Sequence, residues 1–139
     1  MALKNYQKEA DLFDRLIGVA TYVTFGMAGL IWLILSFFLK KTPSGFLSYH
    51  IYQSIFLSLL IYILSLLFGI ALGFMASIPF LLGLAKWIEF FFNTPMYFGY
   101  SLIHLTIVVF VGYLALGAFL GKYSYLPFIS DIIGSNFRR

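Results

Sequence analysis

The chain has 139 residues, 62% of them hydrophobic, a mean hydropathy of +0.97, and charges confined to nine Lys or Arg and five Asp or Glu, which is too little polar surface to coat a water-soluble globule. It has no cysteine, which excludes disulfides, thiolate metal sites, iron–sulfur clusters and thiol nucleophiles. A net charge of +4 would point to nucleic acid in a soluble domain. Here the basic residues stand at the ends of apolar runs, where the positive-inside bias and anionic lipid account for them, and no nucleic-acid partner is expected.

Three stretches carry no charge, 16–39, 42–85 and 90–121, with 24, 44 and 32 residues. A helix crossing the hydrocarbon core needs about 20 predominantly apolar residues, because ~30 Å of lipid is covered at ~1.5 Å per residue. The chain therefore reads as an all-α integral membrane protein, a single polytopic domain over 1–139. Ahead of the first run, Tyr6, Ala10, Phe13 and Ile17 are spaced four, three and four apart, and Asp11 and Arg15 form an i,i+4 pair. This predicts an amphipathic, interfacial lead over 1–15. Three acids among the first fifteen residues argue against a transit peptide, so the segment is expected to stay in the mature protein.

The first membrane helix is predicted over 16–38, ending where Lys40 and Lys41 meet headgroups and Pro43 and Gly45 break the backbone. A second is predicted over 49–73. Its small residues Ser54, Ser58, Ser65, Gly69 and Gly73 recur at helical spacing along one stripe. In lipid, helices associate through close backbone approach at small residues, so this stripe is the expected helix–helix seam, with Gly26, Gly29, Gly112 and Ala115 as its partners.

The third segment, 77–93, opens on Ser77 and Pro79 and closes on Asn93, Thr94 and Pro95. That length falls short of a span. Lys86, Glu89 and Asn93 step by three and four along one face beside Trp87, as in an interfacial or re-entrant helix. The last helix is predicted over 96–120, stopped by Gly121 and Pro127, with a membrane-proximal tail over 121–139. Four helical segments with the third short give three full crossings. Counting basic residues alone prefers four crossings, with six at the terminal side against two in the first loop.

The polar residues inside this apolar frame are few. His104, placed about two turns into the last helix, is a candidate proton carrier or ligand group because an ionisable side chain at depth is costly; its bland alternative is a neutral imidazole sharing a hydrogen bond with a nearby Ser, Thr or Tyr. His50 and Gln53 share a face near the headgroups and read equally as a polar ligand site or as a helix-bridging pair. The Lys86 and Glu89 pair reads as charge neutralisation at the bilayer edge or as a gate. With no paired carboxylates, nucleophile elbow or metal-ligand spacing, no catalytic, cofactor-binding or metal residues are expected, and the chain reads as a non-enzyme.

Three separated stretches carry a resemblance. KKTPSGFLSYHIYQSIFLSLL (40–60) is a basic turn, an aromatic-basic step and a Gln leading into an apolar helix; KWIEFFFNTPMYFG (86–99) and GKYSYLPFISDIIG (121–134) follow it in order. Together they resemble the membrane core of the Tic-twenty family, the polytopic channel-associated subunit of the chloroplast inner-envelope protein import machinery, and related small bacterial membrane proteins of unassigned function. The chain has one long apolar run before the basic turn where that family has two. The resemblance implies a non-enzymatic subunit that helps polypeptides cross or enter a membrane, or that scaffolds a membrane complex. Its partners would be lipid, other membrane subunits and a translocating polypeptide. It also implies a bacterial, cyanobacterial or organelle-type inner membrane, with the Lys40–Lys41 turn and the C-terminus on the cytoplasmic or stromal side. The alternative from another class is a small proton- or solute-coupled transporter using His104.

Overall fold

The computed structural model describes residues 10–96 and 98–126, and the described residues form five helices and no β-strand. These are α1 (Leu12–Val23), α2 (Met27–Phe38), α3 (Gly45–Ser77), α4 (Leu82–Asn93) and α5 (Leu102–Phe119). Of these, α3 and α5 are long and apolar enough to cross a membrane. Only 6% of the most apolar stretch of α3 and 17% of that of α5 is buried within the chain, so neither is the core helix of a globule. The predicted lead over 1–15 and tail over 121–139 fall largely outside the described residues.

The first apolar run departs from its predicted form: two helices of 12 residues replace the single helix over 16–38. Phe25 N–H reaches the Tyr22 carbonyl at 3.1 Å and Gly26 N–H the Thr21 carbonyl at 2.7 Å, so α1 ends in paired backbone bonds that turn the chain back. Phe25 sits at φ +51° and Gly26 at φ +88°, two successive left-handed residues that no straight helix accommodates. The return is antiparallel. Phe13 of α1 meets Trp32 of α2 edge to face at 5.2 Å, and a Cβ on Gly29 would lie 3.1 Å from Thr21 Cγ2. A residue separation of 19 between Phe13 and Trp32 is ~28 Å along a helix, so only a hairpin brings them together.

The chain packs as two compact units, one of residues up to Leu59 together with those from Val111 onward, the other Leu60–Phe110. In the first, the hairpin lies against the first turns of α3 and the last turns of α5. Gly18 faces Ala118 and His50, Gly26 faces the Ile55 backbone, and Gly29 faces Ile51. A Cβ on Gly29 would come within 2.9 Å of Ile51 Cγ2, and one on Gly26 within 3.3 Å of Ile55 Cα. Absent side chains thus set how near α2 approaches α3. At the other end of the hairpin, Ser44 caps α3 by accepting from Leu47 N–H at 3.2 Å, and its hydroxyl donates to Asp14 Oδ2 at 2.5 Å.

Three further boundaries shift. α3 runs through Gly73 to Ser77, because a glycine with open space around it weakens a helix without ending it, and Ser77 bonds back to the Phe74 carbonyl rather than capping α4. In the second unit, α4 starts at Leu82 and buries only Ala85, with Phe92 edge to face on Phe68 at 5.9 Å and Trp87 stacked on Phe91 at 6.0 Å. α5 starts at Leu102 rather than 96, since Phe98 (φ +51°) and Gly99 (φ +81°) turn the backbone first.

Candidate functional site

The polar side chains of the first unit converge on His50 and Gln53, both with no exposed surface. Their spacing of three on α3 puts them on one helical face, which looks at Tyr22 of α1 and at the backbone just after α5. Gln53 Nε2 donates to the Ser124 carbonyl at 2.8 Å, and Tyr49 O–H donates to the same carbonyl at 2.9 Å. Tyr22 O–H donates to Gln53 Oε1 at 2.5 Å, and the Tyr22 oxygen lies 2.9 Å from His50 Nδ1.

The proton positions follow from the acceptor at the end of this chain. A backbone carbonyl only accepts, so the Gln53 amide must turn its nitrogen to Ser124 and its oxygen to Tyr22. Tyr22 has one hydroxyl proton and donates it to Gln53. Toward His50 the Tyr22 oxygen therefore accepts, and Nδ1 of His50 carries a hydrogen. The network runs His50 to Tyr22 to Gln53 to Ser124, joining α1, α3 and the segment after α5.

His50 is also enclosed by rings. Phe46 lies 4.4 Å away edge to face, Tyr22 and Tyr49 at 5.6 and 5.5 Å, and Tyr123 stacks at 6.2 Å with an interplanar angle of 14°. The backbone of Lys122 lies beside the imidazole, while its Nε2 is buried without a well-formed hydrogen bond, as are Thr21 Oγ1 and Trp32 Nε1 among the described residues. Buried, closed off by aromatics and ending in a backbone carbonyl, the arrangement can hold three segments in register; it presents no exposed nucleophile or acid. No three His, Asp or Glu among the described residues stand close enough to share a metal ion.

The other sequence candidates lie elsewhere. His104 stands in the first turn of α5 rather than two turns deep, is exposed, and has Nδ1 2.6 Å from Ser101 Oγ. Ser101 Oγ also accepts from His104 N–H at 3.3 Å, so the pair is the helix cap. The start of α5 at Leu102 rather than at 96 is what moved it, since Phe98 and Gly99 form a turn instead. Lys86, Glu89 and Asn93 do share one exposed face of α4, where they line a shallow open groove with Phe90, Thr94 and Pro95.

The predicted seam divides. Ser54 is buried and bonds the Ile51 carbonyl, and Ser58 bonds the Ser54 carbonyl. Ser65 is exposed, and Gly69, Gly73 and Gly112 have nothing within 4 Å of a would-be Cβ, so among the described residues they form no close approach; Ala115 is half-buried. Gly26 and Gly29 do lie against α3, but against Ile55 and Ile51. Sequence reasoning passed over Tyr22, Thr21, Gly18 and Ser124. A signal for Tyr22 existed: a tyrosine midway along an apolar run needs a partner for its hydroxyl. Nothing local marked Ser124, whose contribution is its backbone carbonyl.

Searches of family models, characterised proteins and solved structures find no match to this chain.

Proposed function

We propose that the chain is a non-enzymatic integral membrane subunit of the Tic-twenty-like type, assisting polypeptide translocation or insertion, or scaffolding a membrane complex. Helix lengths support two crossings rather than the three expected from the apolar runs: α3 at ~50 Å is longer than the ~30 Å core and α5 at ~27 Å comes close to it, while α1, α2 and α4 at ~18 Å each fall short. One observation carries the subunit reading. The Tyr22 hydroxyl, His50 Nδ1 and the Gln53 amide are engaged with one another and with Ser124, whereas α3 beyond Leu59 presents Leu64, Leu67, Ile70, Phe74 and the open Gly69 and Gly73 to its surroundings. In lipid, an apolar helix with uncovered glycines accepts a second helix at close range. The inner membrane of a bacterium or organelle, with Lys40 and Lys41 on the cytoplasmic or stromal face, is the setting this reading implies.

A photo-crosslinking residue at Gly69 or Gly73, activated in native membranes, tests it. Adducts with a stable membrane protein support the scaffold form, and adducts with an arrested translocating polypeptide support the import form. Adducts with lipid alone at both positions would refute the subunit reading. Against the transporter alternative stands the place of His104, exposed in the cap of α5 and paired with Ser101.

A further inference from the structure

Every basic side chain described in the first unit stands at one end of it. Arg15 is in the opening turns of α1, Lys40 and Lys41 come directly after α2, and Lys122 comes after α5. Two contacts fix this clustering. The Ser44 hydroxyl ties the loop after Lys41 to Asp14 of α1, and the Arg15 guanidinium lies over Gly121, 3.0 Å from where a Cβ would be. Arg15 is half-buried and donates from Nε to the Ala10 carbonyl at 2.9 Å; Lys40, Lys41 and Lys122 are exposed. Asp11 and Asp14 share this end, and Asp14 is engaged by Ser44.

The opposite end of the hairpin is uncharged. Its turn presents Val23, Phe25 and Met27, each about half exposed or more. Just before the lysines, Phe37 and Phe38 are 81% and 75% exposed, and after Lys122 come Tyr123, which packs one face on His50 and is otherwise part-exposed, and the exposed Tyr125. A collar of apolar and tyrosyl rings directly beneath a ring of cations matches the boundary between headgroups and hydrocarbon, and a soluble polyanion would leave that collar in water.

We propose that the α1–α2 hairpin enters the bilayer from one face without crossing it, and that Arg15, Lys40, Lys41 and Lys122 at its open end contact the anionic phospholipid headgroups of that leaflet. The proposal rests on the membrane reading above. At ~18 Å per arm the hairpin tip stops inside the ~30 Å core, so residue 10 and residue 42 lie on the same side of the membrane.

The absence of cysteine makes the test direct. Single substitutions Ala10→Cys and Thr42→Cys, in full-length protein reconstituted into phosphatidylcholine vesicles containing phosphatidylglycerol, are labelled with a membrane-impermeant maleimide. Both should react from the same side; reaction from opposite sides overturns the hairpin. Spin-labelled phosphatidylglycerol and phosphatidylcholine then report which lipid the protein restrains. Each exposed lysine near a headgroup can favour the anionic lipid by up to about five-fold, a preference that ~1 M salt should erase as the screening length falls to ~3 Å. The variant Lys40→Gln/Lys41→Gln/Lys122→Gln should keep the labelling pattern and lose most of the preference. No preference in the unmodified protein, or an unchanged one in the variant, overturns the lipid assignment. Protein released from the vesicles by alkaline carbonate would instead overturn the membrane reading, and this proposal with it.

Discussion

Replacing Tyr22 by Phe removes one oxygen and keeps the ring that meets His50 edge to face at 5.6 Å. Two hydrogen bonds go with it, the 2.5 Å bond to Gln53 Oε1 and the 2.9 Å bond from His50 Nδ1, and both partners lie where no exposed surface remains. Bonds of this kind between membrane helices average ~0.6 kcal/mol and reach ~1.7, so losing two should destabilise the fold by roughly 1–3 kcal/mol. Phe leaves no cavity to add to that figure. Reversible unfolding in mixed micelles of mild detergent and dodecyl sulfate gives the free energy, and Tyr113→Phe, at an exposed tyrosine, serves as the control with an effect within ~0.5 kcal/mol. Gln53→Leu and the double variant complete a cycle whose coupling energy should be on the order of 1 kcal/mol. If Tyr22→Phe costs no more than Tyr113→Phe, or if Tyr22 and Gln53 variants add without coupling, the network does not hold the segments together.

Three further substitutions separate the close approaches from open positions. Gly29→Ala should destabilise by about 1–3 kcal/mol, since its Cβ would fall 2.9 Å from Ile51, whereas Gly69→Ala should be neutral or slightly stabilising; thermal unfolding in detergent distinguishes them. Gly26→Ala combines a positive φ with the Ile55 backbone at 3.3 Å and should cost at least ~1–2 kcal/mol by the same measurement. Ser101→Ala should cost about 1 kcal/mol through loss of the α5 cap, while His104→Gln should retain assembly and function. Loss of function in a fully assembled His104→Gln protein would restore the transporter reading.

The parts of this fold legible in the sequence are those set by long-range composition. Uninterrupted apolar length anticipated α3 and α5, and the sequence from Lys40 to Gly45 marked where α2 stops and α3 begins. The hairpin was illegible because its turn is built from Thr24, Phe25 and Gly26. A lone glycine is ordinary in a membrane helix, and phenylalanine at φ +51° carries no turn signal. The same failure recurs before α5, where Phe98 again takes the left-handed position. His50 and Gln53 could be paired from their spacing, since both lie on one helix. Their partner Tyr22 comes from 28 residues earlier and the Ser124 carbonyl from 71 residues later, separations that no periodicity encodes.

Those separations order the birth of the protein. On the ribosome the Tyr22 hydroxyl has no mate until His50 and Gln53 emerge 28 and 31 residues later, and Gln53 in turn waits a further 71 residues for Ser124. Until Ser124 emerges the nascent protein therefore holds an incomplete polar cluster among apolar helices. Closing the Ser124 bond depends on α3, α4 and α5 all having been made. Truncation ahead of the last turns of α5 should therefore leave a long-lived but unlatched intermediate rather than a smaller native protein.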